Sequence, residues 1–254
     1  MQSTPRILVY PTPDALANAA AASILDIAHQ AIAARGRFVV ALTGGSTPEK
    51  TYQDLVSLGE LRKADWSRWY VFMSDDRHVP VDDSRSNFGM AKRMLLNHVP
   101  IPVTQLFPVP TEIQHVERCA AAYDKTLRTF FGNSPAVFDL ILLGLGDDGH
   151  TASLFPHAAA LSRTNELVTS SPPGTLPPPV NRVTFTFPFI NAAREIMFLV
   201  GGANKAQTLQ MVFDPASRVQ DYPAVGIRPV RGGLSFMLDA PAAALLNPAL
   251  FSRI

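Results

Sequence analysis

The chain has 254 residues, of which 47% are hydrophobic, enough for one large α/β domain or two small ones with a full core. A net charge of +1 excludes a global field that would gather nucleic acid or an acidic membrane surface, so an anionic ligand has to be held locally. No apolar run reaches membrane length, and the first residues show no signal-peptide core, so no membrane or nucleic-acid partner is expected.

Arg6–Tyr10, RILVY, reads as a strand. Thr12-Pro13-Asp14 then opens a helix with a cap residue, a proline at the first helical position and an acid in the first turn. Leu16, Ala20, Ile24, Ile27 and Ala31 continue it at helical spacing, and Gly36 stops it. Further strands are expected at RFVVALT, at Trp69–Ser74, at Phe138–Gly144, at Glu195–Gly201 and at Leu234–Asp239. Cys119 falls in a helical pattern and reads as a buried structural thiol; as the only cysteine it excludes an internal disulfide and fits a reducing, cytoplasmic setting. RVTFTF, Arg182–Phe187, alternates and is followed by Pro188, which places it at a sheet edge. Ser170–Asn181 is proline-rich and reads as a long surface loop. Near-continuous apolar strands separated by helices predict a doubly wound, mostly parallel sheet with helices on both faces, in a single domain.

The strong strands end in polar or glycine-rich turns: TGGSTP, SDDRH, GLGDDGH and GGANK. In an open parallel sheet those carboxyl ends share one edge, where ligands bind. Gly44 and Gly45 with Ser46 and Thr47 precede a helix, so backbone N–H groups and the positive end of its dipole face the strand end and suit a phosphate. Ser46-x-x-Glu49 reads as a capping box there, with Thr47-Pro48 as the alternative start. Lys205, at another helix start, adds a cation.

Gly144-x-Gly146-x-x-Gly149 satisfies the dinucleotide pattern literally. Asp147 and Asp148 inside the loop would repel a pyrophosphate, and Pro156 stops the following helix. The glycines are better read as letting the chain turn so that Asp148 and His150 project over the strand ends. Asp75, Asp76, Arg77 and His78 follow another strand, and Arg77 can hold an anion with its fork of donors. These acids with His78, His150 and His157 lack the spacing of a metal site, so no metal is expected. His29, His98 and His115 lie in helical patterns or at helix ends and are read as surface residues.

In order, TGGSTPEKTY, SDDRHVPVDDSRSNFGMAKRMLL, FDLILLGLGDDGHTASLFP, NRVTFTFPFINAAREIMFLVGGANKA and YPAVGIRP resemble the 6-phosphogluconolactonases, a family with the glucosamine-6-phosphate deaminase-like fold. The likeness covers nearly the whole chain, roughly Arg6 to Asp239. It implies hydrolysis of 6-phospho-D-glucono-1,5-lactone to 6-phosphogluconate in the oxidative pentose phosphate pathway, with no metal or cofactor. A monomer is expected. It implies His150 as catalytic base and Gly44–Thr47 as the phosphate-proximal loop. Arg77, Arg182 and Lys205 are implied as the cations around the substrate's anionic groups. The family usually shows Asp-Glu-Arg where this chain has Asp75-Asp76-Arg77, which leaves the role of Asp76 open.

A single imidazole can take a proton from water and return it to the departing ring oxygen. Either Asp148 or Asp75 can orient that ring, and the sequence leaves the choice open. No GxSxG nucleophile elbow occurs, so direct attack by water is expected. The alternatives are a glucosamine-6-phosphate deaminase or isomerase, with Asp75 taking a proton from carbon, and a non-catalytic sugar-phosphate sensor.

Overall fold

The computed structural model describes residues 4–173 and 179–252. Seven strands form one parallel sheet: β1 (Arg6–Tyr10), β2 (Phe38–Leu42), β3 (Trp69–Met73), β5 (Leu106–Phe107), β6 (Leu140–Leu143), β9 (Glu195–Val200) and β10 (Gly233–Asp239). Their order is β1-β10-β9-β6-β2-β3-β5. Every residue of β2 and of β6 is buried, so both faces of the sheet centre are covered. This is why these strands read as unbroken apolar runs rather than alternating ones. Burying one large side chain such as Phe38, Phe72 or Phe198 contributes roughly 1.5–3 kcal/mol.

The covering helices are α1 (Pro13–Arg35), α2 (Ser46–Leu61), α3 (Asn87–Ala91), α4 (Val116–Phe131), α5 (Phe187–Asn191) and α6 (Ala206–Val212). α1 has the ends expected of it: Thr12 accepts a hydrogen bond from the Ala15 N–H, and Gly36 closes the helix at φ 73° with its N–H on the Ile32 carbonyl. Cys119 is buried in α4.

A second sheet was not foreseen. β4 (Asp75–Arg77), β8 (Arg182–Phe185) and β7 (Val168–Ser171) form an antiparallel sheet in the order β4-β8-β7. The expected edge strand Arg182–Phe187 is therefore its central strand, and it stops at Phe185. Thr186 caps α5, and Pro188 occupies the first turn of that helix, where it has no N–H to waste. Within SDDRH, Asp75–Arg77 is likewise a strand and not a turn. Buried Ser74 links the two sheets: its N–H and hydroxyl donate to the Leu42 carbonyl, and its own carbonyl accepts from the Phe185 N–H. The proline-rich stretch starts inside β7, and its part at 174–178 lies outside the described residues.

β9, β6, β2 and β3 are consecutive in the main sheet, so the chain leaving each of them emerges at one stretch of its carboxyl edge. That adjacency brings the four chemically loaded segments together.

Candidate active site

A cleft of about 350 Å³ lies at that edge. Thr43–Pro48, Gly144–Asp148, His150 and Leu199–Gly201 line it, together with Asp75, Arg77, Asn87 and Lys205.

At one end stands the start of α2. The capping box is not formed. Gly45 is the cap residue, at φ 115°, and the Glu49 N–H donates to the Gly45 carbonyl. Only glycine holds that backbone angle without strain, so the helix begins one residue earlier than the box requires. Ser46 and Thr47 become the first two helical residues, whose N–H groups an α-helix cannot bond internally. Pro48 has no N–H at all. The turn itself is held by buried Tyr52, whose hydroxyl donates to the Thr43 carbonyl at 2.8 Å and accepts from its N–H at 3.0 Å. Gly44 is equally constrained, because a Cβ there would lie 1.9 Å from Asn87 Oδ1. Lys205, at the cap of α6, joins this end: its Nζ is 2.5 Å from Asp147 Oδ1, and Thr208 Oγ1 donates to the Asp147 carbonyl.

The Gly144–Gly149 loop does what its composition suggested. The Gly146 N–H donates to the His150 carbonyl, which curls the chain back. A Cβ on Gly146 would lie 2.1 Å from His150 Nδ1 and 2.7 Å from Asp148 Oδ1, so this glycine makes room for both side chains. Gly149 sits at φ 79° against Tyr222, and its carbonyl accepts from the Ala224 N–H, which ties YPAVG to the loop. His150 Nδ1 is 2.5 Å from Asp148 Oδ1, and its ring packs on Phe155 at 4.5 Å. A carboxylate so placed fixes the Nδ1–H tautomer and leaves Nε2 as the proton acceptor. Burial raises the Asp148 carboxyl, but the hydrogen bonds and charge of His150 outweigh it and hold the group below the ordinary carboxylate range.

Asp75 makes a different contact. Its Oδ2 accepts from Ser153 Oγ at 2.7 Å, and its carboxylate is almost fully buried. Of the two acids that could orient the ring, Asp148 is the one hydrogen-bonded to it. Asp76 points away into the protein and accepts from the N–H groups of Arg77, Asn87 and Phe88, and from Ser86 Oγ. Burial raises its carboxyl to about 6 against the pull of those donors. Asp76 thus anchors the start of α3, where Ser86 caps the Gly89 N–H. That helix start presents Asn87, whose Nδ2 donates to the Asp75 carbonyl, to the cleft. Asn87 was not singled out from sequence; the only signal for it was the cap pattern SRSNFG.

Arg182 does not line the cleft. It faces Arg77 in register across β4 and β8 and is 5% exposed. Burial and the neighbouring Arg77 charge push its guanidinium down. The Nε atoms of Arg77 and Arg182 are buried and have no hydrogen-bond partner among the described residues. The other histidines are engaged elsewhere, His78 with the Ile113 carbonyl and His157 with Asp221. Among the described residues no three His, Cys, Asp or Glu side chains converge as a metal site would need.

A family model described as glucosamine-6-phosphate isomerases/6-phosphogluconolactonase matches residues 11–236. The chain belongs to this isomerase/lactonase family. Every cleft residue named above falls inside the matched range. Among relatives similar to this chain, a 6-phosphogluconolactonase of Synechocystis sp. is 44% identical over 223 residues, covering 86% of this chain and 89% of its own. A human 6-phosphogluconolactonase is 38% identical, covering 84% and 83%. The structure of a 6-phosphogluconolactonase from Trypanosoma brucei superposes with a TM-score of 0.85 at 33% identity, over 97% of this chain and all of its own. A monomeric glucosamine-6-phosphate deaminase superposes with a TM-score of 0.81 at 20% identity, a likeness of fold alone.

Proposed function

We propose that the chain hydrolyses 6-phospho-D-glucono-1,5-lactone to 6-phospho-D-gluconate, the lactonase step of the oxidative pentose phosphate pathway. The observation that carries the residue assignment is the 2.5 Å contact between His150 Nδ1 and Asp148 Oδ1 in a cleft whose far end is a helix start with a lysine. The lactonase relatives, similar over most of the chain, support the substrate.

The substrate's phosphate lies at the Ser46 and Thr47 N–H groups and Lys205, where the helix dipole and an ammonium both favour an anion. The lactone carbonyl then reaches toward His150. Nε2 takes a proton from water as the water oxygen bonds to C1, and the carbonyl electron pair moves onto its oxygen. Asp148 stabilises the imidazolium so formed. Collapse of the tetrahedral species breaks the bond from C1 to the ring oxygen, which takes the proton from Nε2. Arg77 and the loop N–H groups after Gly144 are the donors for the oxyanion. Arg182 acts from behind, by holding positive charge next to Arg77. Asp75 positions Ser153 and the β4 end of the cleft and takes no proton. The enzyme is a cytoplasmic monomer that needs no metal or cofactor: one chain supplies every residue in these roles.

The deaminase reading needs Asp75 as the base toward carbon. Its burial and its bond to Ser153 argue against that. The test is turnover of freshly generated lactone, corrected for spontaneous opening, beside ammonia release from glucosamine-6-phosphate. Lactone turnover well above background without ammonia supports the proposal. Ammonia release, or saturable sugar-phosphate binding without turnover, would replace it with the deaminase or the sensor.

A further inference from the structure

A second polar cavity, of about 500 Å³, lies at the opposite end of the strands. Its walls come from the residues that lead into β2, β6, β9 and β10, a full strand length from the active-site cleft. Arg35, Arg37, Arg194 and Arg231 line it with Asp139 and Ser134. Four arginines and one carboxylate line it, an excess of three positive charges in a chain whose net charge is only +1.

The one carboxylate is already committed. Asp139 is 4% exposed; it accepts from the Val39 N–H and from Arg35 Nε, each at 2.8 Å. Arg194 Nε stands 3.5 Å from the same Oδ1, which Arg35 already occupies. Arg37 lies over the rings of Phe130, at 4.9 Å, and Tyr70, at 5.9 Å, with no carboxylate partner among the described residues. Arg231, exposed, likewise has no ion pair among the described residues. Arg35, in the last turn of α1, has an ordinary structural duty toward the helix dipole and Asp139. Arg194 shares the Asp139 contact, but neither duty extends to Arg37 and Arg231, which lie outside the last turn of any helix and have no ion pair among the described residues.

We infer that this cavity is a binding site for a small multiply charged phosphate compound, separate from the active-site cleft. The planar donor forks of arginine match phosphate oxygens in pairs. The concave shape and a volume in the range of metabolite sites favour a small molecule over an extended acidic protein surface. Phosphate groups satisfy several guanidiniums at once, whereas the one carboxylate here, Asp139, is shared by Arg35 and Arg194 and pairs with neither Arg37 nor Arg231.

Inorganic pyrophosphate is the probe. Calorimetric titration of the full chain should show binding that Lys205→Gln, altered only in the active-site cleft, retains. An Arg37→Gln/Arg231→Gln double variant should bind about tenfold more weakly, since partly exposed charge-assisted bonds are individually modest. Thermal melts without ligand should leave the double variant close to wild type. In wild type, pyrophosphate should also shift the arginine Nε–H signals of Arg194 and Arg231 in nitrogen-resolved NMR, a readout that needs no variant. The inference is overturned if pyrophosphate affinity is unchanged in the double variant, if it disappears in Lys205→Gln, or if the Arg194 and Arg231 signals do not move.

Discussion

His150 has one carboxylate on Nδ1 and an aromatic ring against its face, and it contributes little to the core. His150→Ala should therefore lower kcat about 10²–10⁴-fold, the worth of general acid–base help, while the melting temperature changes little. A variant retaining more than about a tenth of wild-type kcat would move the base elsewhere. Asp148→Asn, which weakens the orientation of the ring without removing it, should fall between wild type and His150→Ala. Gly146→Ala acts on the same pair from below. Its Cβ would lie 2.1 Å from His150 Nδ1, so a comparable loss of kcat with an unchanged fold is expected from a methyl group that displaces the ring. The pair can also be read by titration. The Asp148 carboxyl is depressed because the bonds from His150 outweigh burial. A carboxyl depressed in the fold stabilises it above the unfolded value of 3.8, and that stabilisation is lost as pH falls through the folded value. In His150→Ala the imidazole's hydrogen bond and charge are gone while burial and the backbone N–H donors remain, so the Asp148 carboxyl carbon should titrate higher by NMR than in wild type. An unchanged titration would mean that another group holds the carboxylate. At this scale the sequence was informative because GLGDDGH has no other use for three glycines around two acids and a histidine. It could not choose between Asp148 and Asp75, because that depends on Ser153 reaching Asp75 across 78 positions.

Among elements, the helix starts divide the labour. The start of α2 faces the cleft with N–H groups, and the start of α3 is filled from inside by Asp76. Removing the Asp76 carboxylate leaves three backbone N–H donors and Ser86 without their acceptor. Each buried unsatisfied donor costs about 1–3 kcal/mol, so Asp76→Ala should destabilise the protein by roughly 3 kcal/mol or more, read from urea unfolding. Its activity should fall as well, because Asn87 leaves the cleft with α3. A melting curve like wild type would show that α3 does not depend on this carboxylate. At the start of α2 the prediction concerns substrate. Charge-assisted bonds contribute about 1.5–3 kcal/mol each, so losing two should lower kcat/KM at least ~100-fold for unphosphorylated gluconolactone. Equal efficiency for both lactones would remove the phosphate from the Gly44–Thr47 end. The glycine-before-helix pattern was legible, but its register was not. Ser46-x-x-Glu49 fits a capping box in one dimension, and only Gly45's left-handed backbone decides against it. Asp75–Arg77 was read as a turn because its strand partner, Arg182–Thr184, is over a hundred residues away.

At the level of the whole molecule, the apolar strands and their order of occurrence sufficed to foresee a parallel sheet covered on both faces. The small antiparallel sheet was missed because its strands are three to four residues long and pair only with one another. Ser74 and Phe185 join it to the main sheet through one hydrogen bond, and Phe185 belongs to the same continuous core as Phe138 and Phe198. Two sheets sharing one core should unfold together. Cys119 offers a direct check. It is buried in α4 with its thiol on the Pro110 carbonyl, and burial, with nearby acidic charge, pushes it up to about 12. Near pH 8 almost none of it is thiolate, the form that attacks disulfide reagents. In the native protein Cys119 should therefore resist such a reagent, with labelling limited by global opening. The free energy obtained from its labelling rate across urea should equal that from the fluorescence of Trp66 and Trp69, whose rings pack at 4.6 Å. Rapid labelling without urea, or an opening energy well below the fluorescence value, would mean that α4 and the small sheet detach while the parallel sheet is still folded.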